Sequence, residues 1–106
     1  MFNKNIGDLF KQAKDMQSKV AEIQEELAKE RVEATTGGGM VHVVASGTGE
    51  VLSINIDEEL INMQDKAILE DLVAGAMNEV RRKVIEGVKG QLSKFTGGLP
   101  IPGLFT

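Results

Sequence analysis

The sequence predicts an α+β fold of two layers, in which a long helix, a three-stranded antiparallel β-meander and a second long helix follow one another. Near both ends of the chain, apolar residues recur every three or four positions, as in amphipathic helices. Between them, three short β-branched or alternating runs are separated by glycine-rich turns, as in a meander. We therefore expect a single domain over residues 1–106, with helical arms that protrude from the sheet.

The first helix is predicted from an apolar seam that begins at Ile6 and ends at Leu27. The seam repeats every 3.5 residues, a spacing that is also typical of coiled coils. No proline or glycine interrupts residues 8–31. The seam consists of Ile6, Leu9, Ala13, Met16, Val20, Ile23 and Leu27.

Three strands are predicted at residues 31–35, 40–45 and 50–56, with hairpin turns at 37–39 and 47–49. In the third strand, alternation places Ile54 on one face and Val51 on the other. Because the strands carry apolar residues on both faces and the chain is short, we expect a homodimer that forms through the sheet. The interface residues predicted on this basis are Val41, Val43, Val51 and Ser53.

A second long helix is predicted from Asp65 to about residue 95, after a short helical segment that Asp57 caps. Gly87 and Gly90 each cost about 1 kcal/mol in a helix interior, so we expect a kink or fraying there. Two glycines and two prolines follow, and residues 97–106 are expected to form a flexible tail.

Composition argues against an enzyme. The 106 residues include one histidine and no cysteine, tyrosine or tryptophan, so most catalytic and metal-binding chemistry lacks its usual side chains. His42 has no second histidine with which to share a metal, and neither glycine turn opens a helix as a phosphate loop must. No apolar run approaches the length of about 18–20 residues of a membrane span. We expect a cytoplasmic protein without a cofactor, a metal, a membrane partner or a small-molecule substrate.

Charge is segregated along the chain. Residues 1–20 carry a net charge of +2 and residues 80–106 one of +4, which leaves −10 for residues 21–79 because the whole chain carries −4. Helices of about 37 and 46 Å are too long for a compact domain of this size, so they must overhang the sheet. We expect their basic segments to meet there in a positively charged arm whose candidate phosphate contacts are Lys11, Lys14, Lys19, Arg81, Arg82, Lys83, Lys89 and Lys94.

The motifs and aromatic residues that do or do not accompany these cations predict how the protein would contact a nucleic acid. The sequence contains no helix-turn-helix or zinc-finger pattern for reading bases and no aromatic residues interleaved with the cations for stacking. Backbone contacts with weak sequence preference are therefore expected. An alternative stays open, in which the chain is a protein–protein adaptor that uses the seam of its first helix as a coiled-coil surface.

The order of elements and several local motifs resemble the YbaB/EbfC family of bacterial nucleoid-associated proteins. The similar segments are residues 11–13, 16–17 and 19 in the first helix, 39–43, 47 and 53–57 in the sheet, and 69–74 and 78 in the second helix. The resemblance implies a homodimer joined through the sheets and shaped like tweezers, whose helical arms grip duplex DNA. It also implies a role in organising the nucleoid, with no catalysis and no cofactor.

Overall fold

A computed structural model describes the backbone of residues 2–96 and the side chains of residues 6–94. It confirms the predicted order of a long helix, a three-stranded antiparallel sheet and a second long helix. The flexible tail predicted at residues 97–106 lies outside the described residues. The elements are α1 (Phe2–Lys29), β1 (Arg31–Thr36), β2 (Val41–Ser46), β3 (Val51–Ile56), the short α2 (Glu58–Asn62) and α3 (Lys66–Thr96).

The molecule is elongated, as the helix lengths predict. Its radius of gyration is 19.8 Å and its principal dimensions are 73 × 24 × 19 Å. A compact chain of this length would have a radius of gyration of about 13 Å. The difference arises because the helices extend well beyond a sheet whose strands have only six residues each.

The core lies between α3 and the strands β1 and β2. The sheet order is β1-β2-β3, so β2 is central and pairs with both neighbours in antiparallel register. Val41 and Val43 of β2 have no exposed surface, because they pack beneath Ala76 and Val80 of α3. β3 is an edge strand, and all six of its residues are exposed.

A β-bulge corrects the predicted faces of β3. Val44 pairs with Ser53, but the next residue, Ala45, pairs with Val51, so Leu52 is the additional residue. Val51 is thus opposite Ala45, which belongs to the face that α3 covers. The prediction that Val51 and Ile54 lie on opposite faces is therefore wrong, because simple alternation does not account for an inserted residue.

The end of α1 is anchored to the turn between β2 and β3. The backbone N–H of Gly47 donates a hydrogen bond of 2.9 Å to the carbonyl oxygen of Leu27, which also accepts one of 3.1 Å from the backbone N–H of Glu30 at the end of the helix. A Cβ atom on Gly47 would lie 2.6 Å from that oxygen, so only glycine allows the contact.

Both predicted helix caps are confirmed, but the predicted kink is not. Asp57 and Asp65 accept hydrogen bonds from the backbone N–H groups of Glu59 and Ile68. α3 continues as one helix through Gly87 and Gly90. The physical reason is that Val88 and Leu92, on either side of Gly90, lie against the end of α1 and hold this part of α3 helical.

Candidate nucleic-acid interface

The two long helices pair in antiparallel fashion over only part of their lengths. Val88 and Leu92 of α3 share one apolar groove with Ile23 and Leu27 of α1. The side-chain amide of Gln91 donates a hydrogen bond of 3.3 Å to a carboxylate oxygen of Glu30, just beyond the end of α1. The first half of α1 therefore extends beyond the last residue described in α3.

Four of the eight predicted DNA contacts are exposed cations with no hydrogen bond or ion pair among residues 2–96. Lys11 and Lys14 lie one turn apart on the overhanging half of α1, on the face away from the seam. Arg81 and Lys94 lie on α3. Since none of the four forms a hydrogen bond or an ion pair within the described residues, these side chains are available to an anion.

Lys19 and Lys94 are the two predicted contacts that the helix pair brings together across α1 and α3. Both line a shallow groove with Glu22, and the Nζ atom of Lys19 lies 3.7 Å from a carboxylate oxygen of Glu22. Both partners of that ion pair are well exposed, so the pair is weak. Lys89, on the same part of α3, takes part in an interaction within the protein.

Arg82 is held by two carboxylates of its own helix. It donates two hydrogen bonds to Glu79, of 2.6 and 3.1 Å, and one of 2.7 Å to Glu86. The hydrogen bond from Arg82 holds the pKa of the Glu79 carboxyl below its ordinary value of 4.5. The same hydrogen bond raises the pKa of Arg82, so this guanidinium stays charged but is already compensated.

Lys83 ties α3 to the sheet. Its Nζ atom donates a hydrogen bond of 2.8 Å to the backbone carbonyl oxygen of Glu33 in β1. Residues 81–83 therefore lie beside the sheet, about 18 Å along α3 from Lys94. The expectation that the two basic segments meet at the end of a protruding arm is wrong for residues 81–83, because the part of α3 that contains them packs on the sheet.

The four predicted interface residues divide into two pairs. Val41 and Val43 are completely buried by α3 within one chain and have no surface left for a partner, whereas Val51 and Ser53 are exposed. The homodimer remains a prediction, and Val51 and Ser53 are available to form its interface.

Sequence reasoning missed Ile54 and Ile56 as candidate interface residues. They pair with Val43 and Val41 on the covered side of the sheet, yet α3 leaves them 44% and 38% exposed. Their apolar character suggested core, and the sequence alone could not indicate which strands α3 would cover.

His42 interacts with a single carboxylate on the uncovered face of the sheet. Its Nε2 atom lies 3.2 Å from a carboxylate oxygen of Glu33. Within the described ranges, three or more histidine or carboxylate side chains nowhere come together as a metal site would require. Nor does any helix there have the length and apolar character needed to cross a membrane.

A small sheet, overhanging helices and exposed cations on both long helices define an elongated α+β protein suited to a polyanionic partner. Comparison with known proteins gives this class a family. The model of the YbaB/EbfC DNA-binding family matches residues 2–99, and the chain belongs to that family.

Relatives of similar length support the assignment. The chain is 46% identical over 101 residues to a nucleoid-associated protein of Caldanaerobacter subterraneus subsp. tengcongensis, covering 95% of this chain and 91% of the relative. It is 47% identical over 105 residues to a nucleoid-associated protein of Acetivibrio thermocellus, covering 98% and 93%. Among solved structures, an uncharacterized protein from Helicobacter pylori matches with a TM-score of 0.77 and 25% identity, over 83% of this chain and 92% of that one.

Proposed function

We propose that this protein binds duplex DNA as a tweezer-shaped homodimer, mainly through phosphate contacts, and so organises the nucleoid and influences gene expression. The observation that carries the proposal is the set of four exposed cations without ion pairs, spread over both long helices of an elongated scaffold of a DNA-binding family. The names of its relatives, which are nucleoid-associated proteins, agree with this role.

The phosphate contacts are assigned to Lys11, Lys14, Arg81 and Lys94. Each is exposed and forms no ion pair with a carboxylate of the described residues. Cations spread over two helices suit the regular spacing of charge along a duplex better than a compact anion. Arg82, which two carboxylates already hold, contributes less than its charge suggests.

The dimer is supported by incomplete covering of the sheet. Ile54 and Ile56 continue the apolar face of β2 but lie beyond the reach of α3. β3 also has an unpaired edge, which natural proteins usually cover or protect. A second copy packed against β3 would bury these side chains and double the number of cations available to one duplex.

A titration of labelled duplexes at several salt concentrations tests the proposal. Affinity should fall steeply with salt, by about 0.9 units of log–log slope for each phosphate neutralised. Unrelated duplexes should displace one another almost equally. A preference of about a thousandfold for one site, as in specific recognition, would contradict the proposed mode.

The second candidate function is a protein–protein adaptor that uses the seam of α1. Its specific support is that Leu9, Met16 and Val20 are exposed on the overhanging half of the helix. The same titration distinguishes the two, because an adaptor whose charges serve only solubility would bind no duplex at low salt.

A further inference from the structure

The apolar seam of α1 is covered at one end and open at the other. Exposure rises from 4% at Leu27 to 45% at Val20, 59% at Met16 and 63% at Leu9. Open apolar grooves run along both sides of the seam where Ala13 and Met16 lie. From Val20 to the start of the seam, about 21 Å of apolar surface therefore has no covering element among the described residues.

The spacing of the open seam selects another helix as its partner. Steps of three and four residues keep an apolar stripe in contact with a second helix that supercoils with it, and each seam residue then enters a hole on the facing helix. Charges beside such a stripe normally decide which helices pair. Here the flanking positions carry a single charge, so a second copy of α1 meets no row of like charges. These positions are Phe10, Gln12, Gln17, Lys19 and Gln24.

Charge and shape both favour an antiparallel pair of such helices. Residues 6–20 contain three lysines and two aspartates, whereas residues 21–30 contain four glutamates and one lysine. A parallel pair would place the two acidic ends side by side, but an antiparallel pair places each acidic end toward the basic half of the other helix. It also keeps the two sheets at opposite ends of the pair, because the β2–β3 turn is anchored at the Leu27 end of α1.

Side-chain size fixes the register of the antiparallel pair. When Leu9 of one copy faces Val20 of the other, Ala13 faces Met16, so the smallest seam residue meets a long and adaptable one. The arrangement is reciprocal, since the same contacts recur on the other side of the two-fold axis. A parallel pair in register would instead place Ala13 against Ala13 and leave a cavity, which is destabilising.

We propose that the open seam of α1 binds the same seam of a second copy of this chain in an antiparallel coiled coil. This contact is separate from the dimer proposed on β3, so a chain that makes both contacts is joined to two others and the assembly grows beyond a dimer. Lys11 and Lys14 face away from the seam and stay exposed in the pair. The inference therefore does not rest on DNA binding.

The contact is weak between free chains. It uses about five seam residues from each copy, whereas a stable interface uses about 20–30 residues a side. We therefore expect it to be absent at micromolar concentration and to form at about millimolar concentration, which is the effective concentration that a shared tether provides.

Sedimentation equilibrium without DNA tests the contact over the range from about 10 μM to about 1 mM. The average mass of the parent should rise by about half or more over this range. Met16→Asp should abolish the rise, because a carboxylate at the centre of the pair would be buried. The matched control is Ser18→Asp, which adds the same charge about 200° round the helix and should assemble as the parent does. Circular dichroism checks that α1 stays helical in each variant.

A parent whose mass stays constant would overturn the proposal and leave the seam to a different protein or to its own chain. An equal rise in Met16→Asp would overturn it as well, because the association would then use another surface.

Single cysteines determine the direction of the pair, because the protein has no other cysteine. In an equal mixture of Leu9→Cys and Val20→Cys chains, the mixed disulfide should form about tenfold faster than either homodisulfide, since a disulfide requires Cα atoms within about 7 Å. The matched control replaces Val20→Cys by Ser18→Cys, on the outer face of α1, and should show no such preference. Mass spectrometry separates the products. Equal rates or faster homodisulfides would overturn the antiparallel pair, and neither outcome would bear on DNA binding.

Discussion

Two arginines of this protein carry the same charge but differ in how available they are to a partner. Arg81 and Arg82 are adjacent in sequence and point about 100° apart round α3. That rotation places Arg82 between Glu79 and Glu86, one turn away on either side, whereas Arg81 has no partner among the described residues. The intrahelical spacing could be read from the sequence, but the choice of rotamer that satisfies both carboxylates could not.

We therefore predict that the two arginines contribute unequally to DNA binding. Arg81→Ala should weaken binding and reduce the log–log salt slope by about 1.8, because each of the two subunits of the dimer loses one phosphate contact. Arg82→Ala should leave the slope nearly unchanged and lower the melting temperature slightly, because it removes ion pairs from α3. Anisotropy titrations at several salt concentrations measure both. An equal loss of slope in the two variants would show that DNA displaces Glu79 and Glu86 from Arg82.

Releasing Arg82 should have the opposite effect. In the double variant Glu79→Gln with Glu86→Gln, we expect tighter binding and a salt slope larger by about 1.8, because one freed guanidinium in each subunit of the dimer can meet a phosphate. The matched control is Glu70→Gln with Asp71→Asn, which changes the charge of α3 equally without touching Arg82. The gain should vanish when Arg82→Ala is added to the first pair. A similar gain from both pairs would mean that general repulsion, and not Arg82, limits affinity.

Among the elements, glycines have opposite roles according to what surrounds them. Gly47 lets the β2–β3 turn approach the end of α1, and any side chain there would meet the carbonyl oxygen of Leu27. Gly87 lies inside α3, and a Cβ atom there would meet nothing within 4 Å. The first glycine is required by packing between two elements, whereas the second only lowers the stability of its helix.

This difference predicts opposite changes in the free energy of unfolding. Gly47→Ala should lower it by about 1–3 kcal/mol, because backbone must move to relieve the contact. Gly87→Ala should raise it by about 1 kcal/mol through helix propensity. Urea denaturation followed by circular dichroism measures both variants against the parent. If Gly47→Ala were neutral, the anchor between α1 and the turn would be looser than the 2.9 Å hydrogen bond indicates.

Whether a structural feature could be predicted from the sequence depends on whether its signal is local or long-range. Apolar periodicity and capping residues are local, so the sequence predicts the helices, the strands and the caps at Asp57 and Asp65. The bulge at Val44 and Ala45 depends on pairing between strands, and the hydrogen bond from Lys83 to Glu33 joins residues fifty positions apart. Such long-range geometry leaves no periodic signal, which is why Val51 and residues 81–83 were misplaced.

For the whole molecule, the number of cations that reach one duplex depends on its oligomeric state. Among the described residues, one chain presents four exposed cations without ion pairs from the predicted set and leaves the apolar residues of β3 partly open to solvent. A chain of this size buries a limited core, so covering an open apolar face contributes substantially to stability. Dimer formation and DNA affinity should therefore be lost together.

Ile54→Asp tests this link. Ile54 is 44% exposed in one chain, so the carboxylate remains solvated in a monomer but would be buried in a dimer formed on β3. We expect the parent to sediment at about twice 11.4 kDa at micromolar concentration, and the variant to sediment at 11.4 kDa with an unchanged circular dichroism spectrum.

The salt slope of the Ile54→Asp variant should fall to about half the parent's, since each chain then supplies phosphate contacts alone. Thr35→Asp adds the same charge at an exposed position of β1, the opposite edge strand of the sheet, and should leave the dimer intact. A monomeric parent would contradict the proposed dimer outright, whereas a dimeric Ile54→Asp variant would place the interface on another surface.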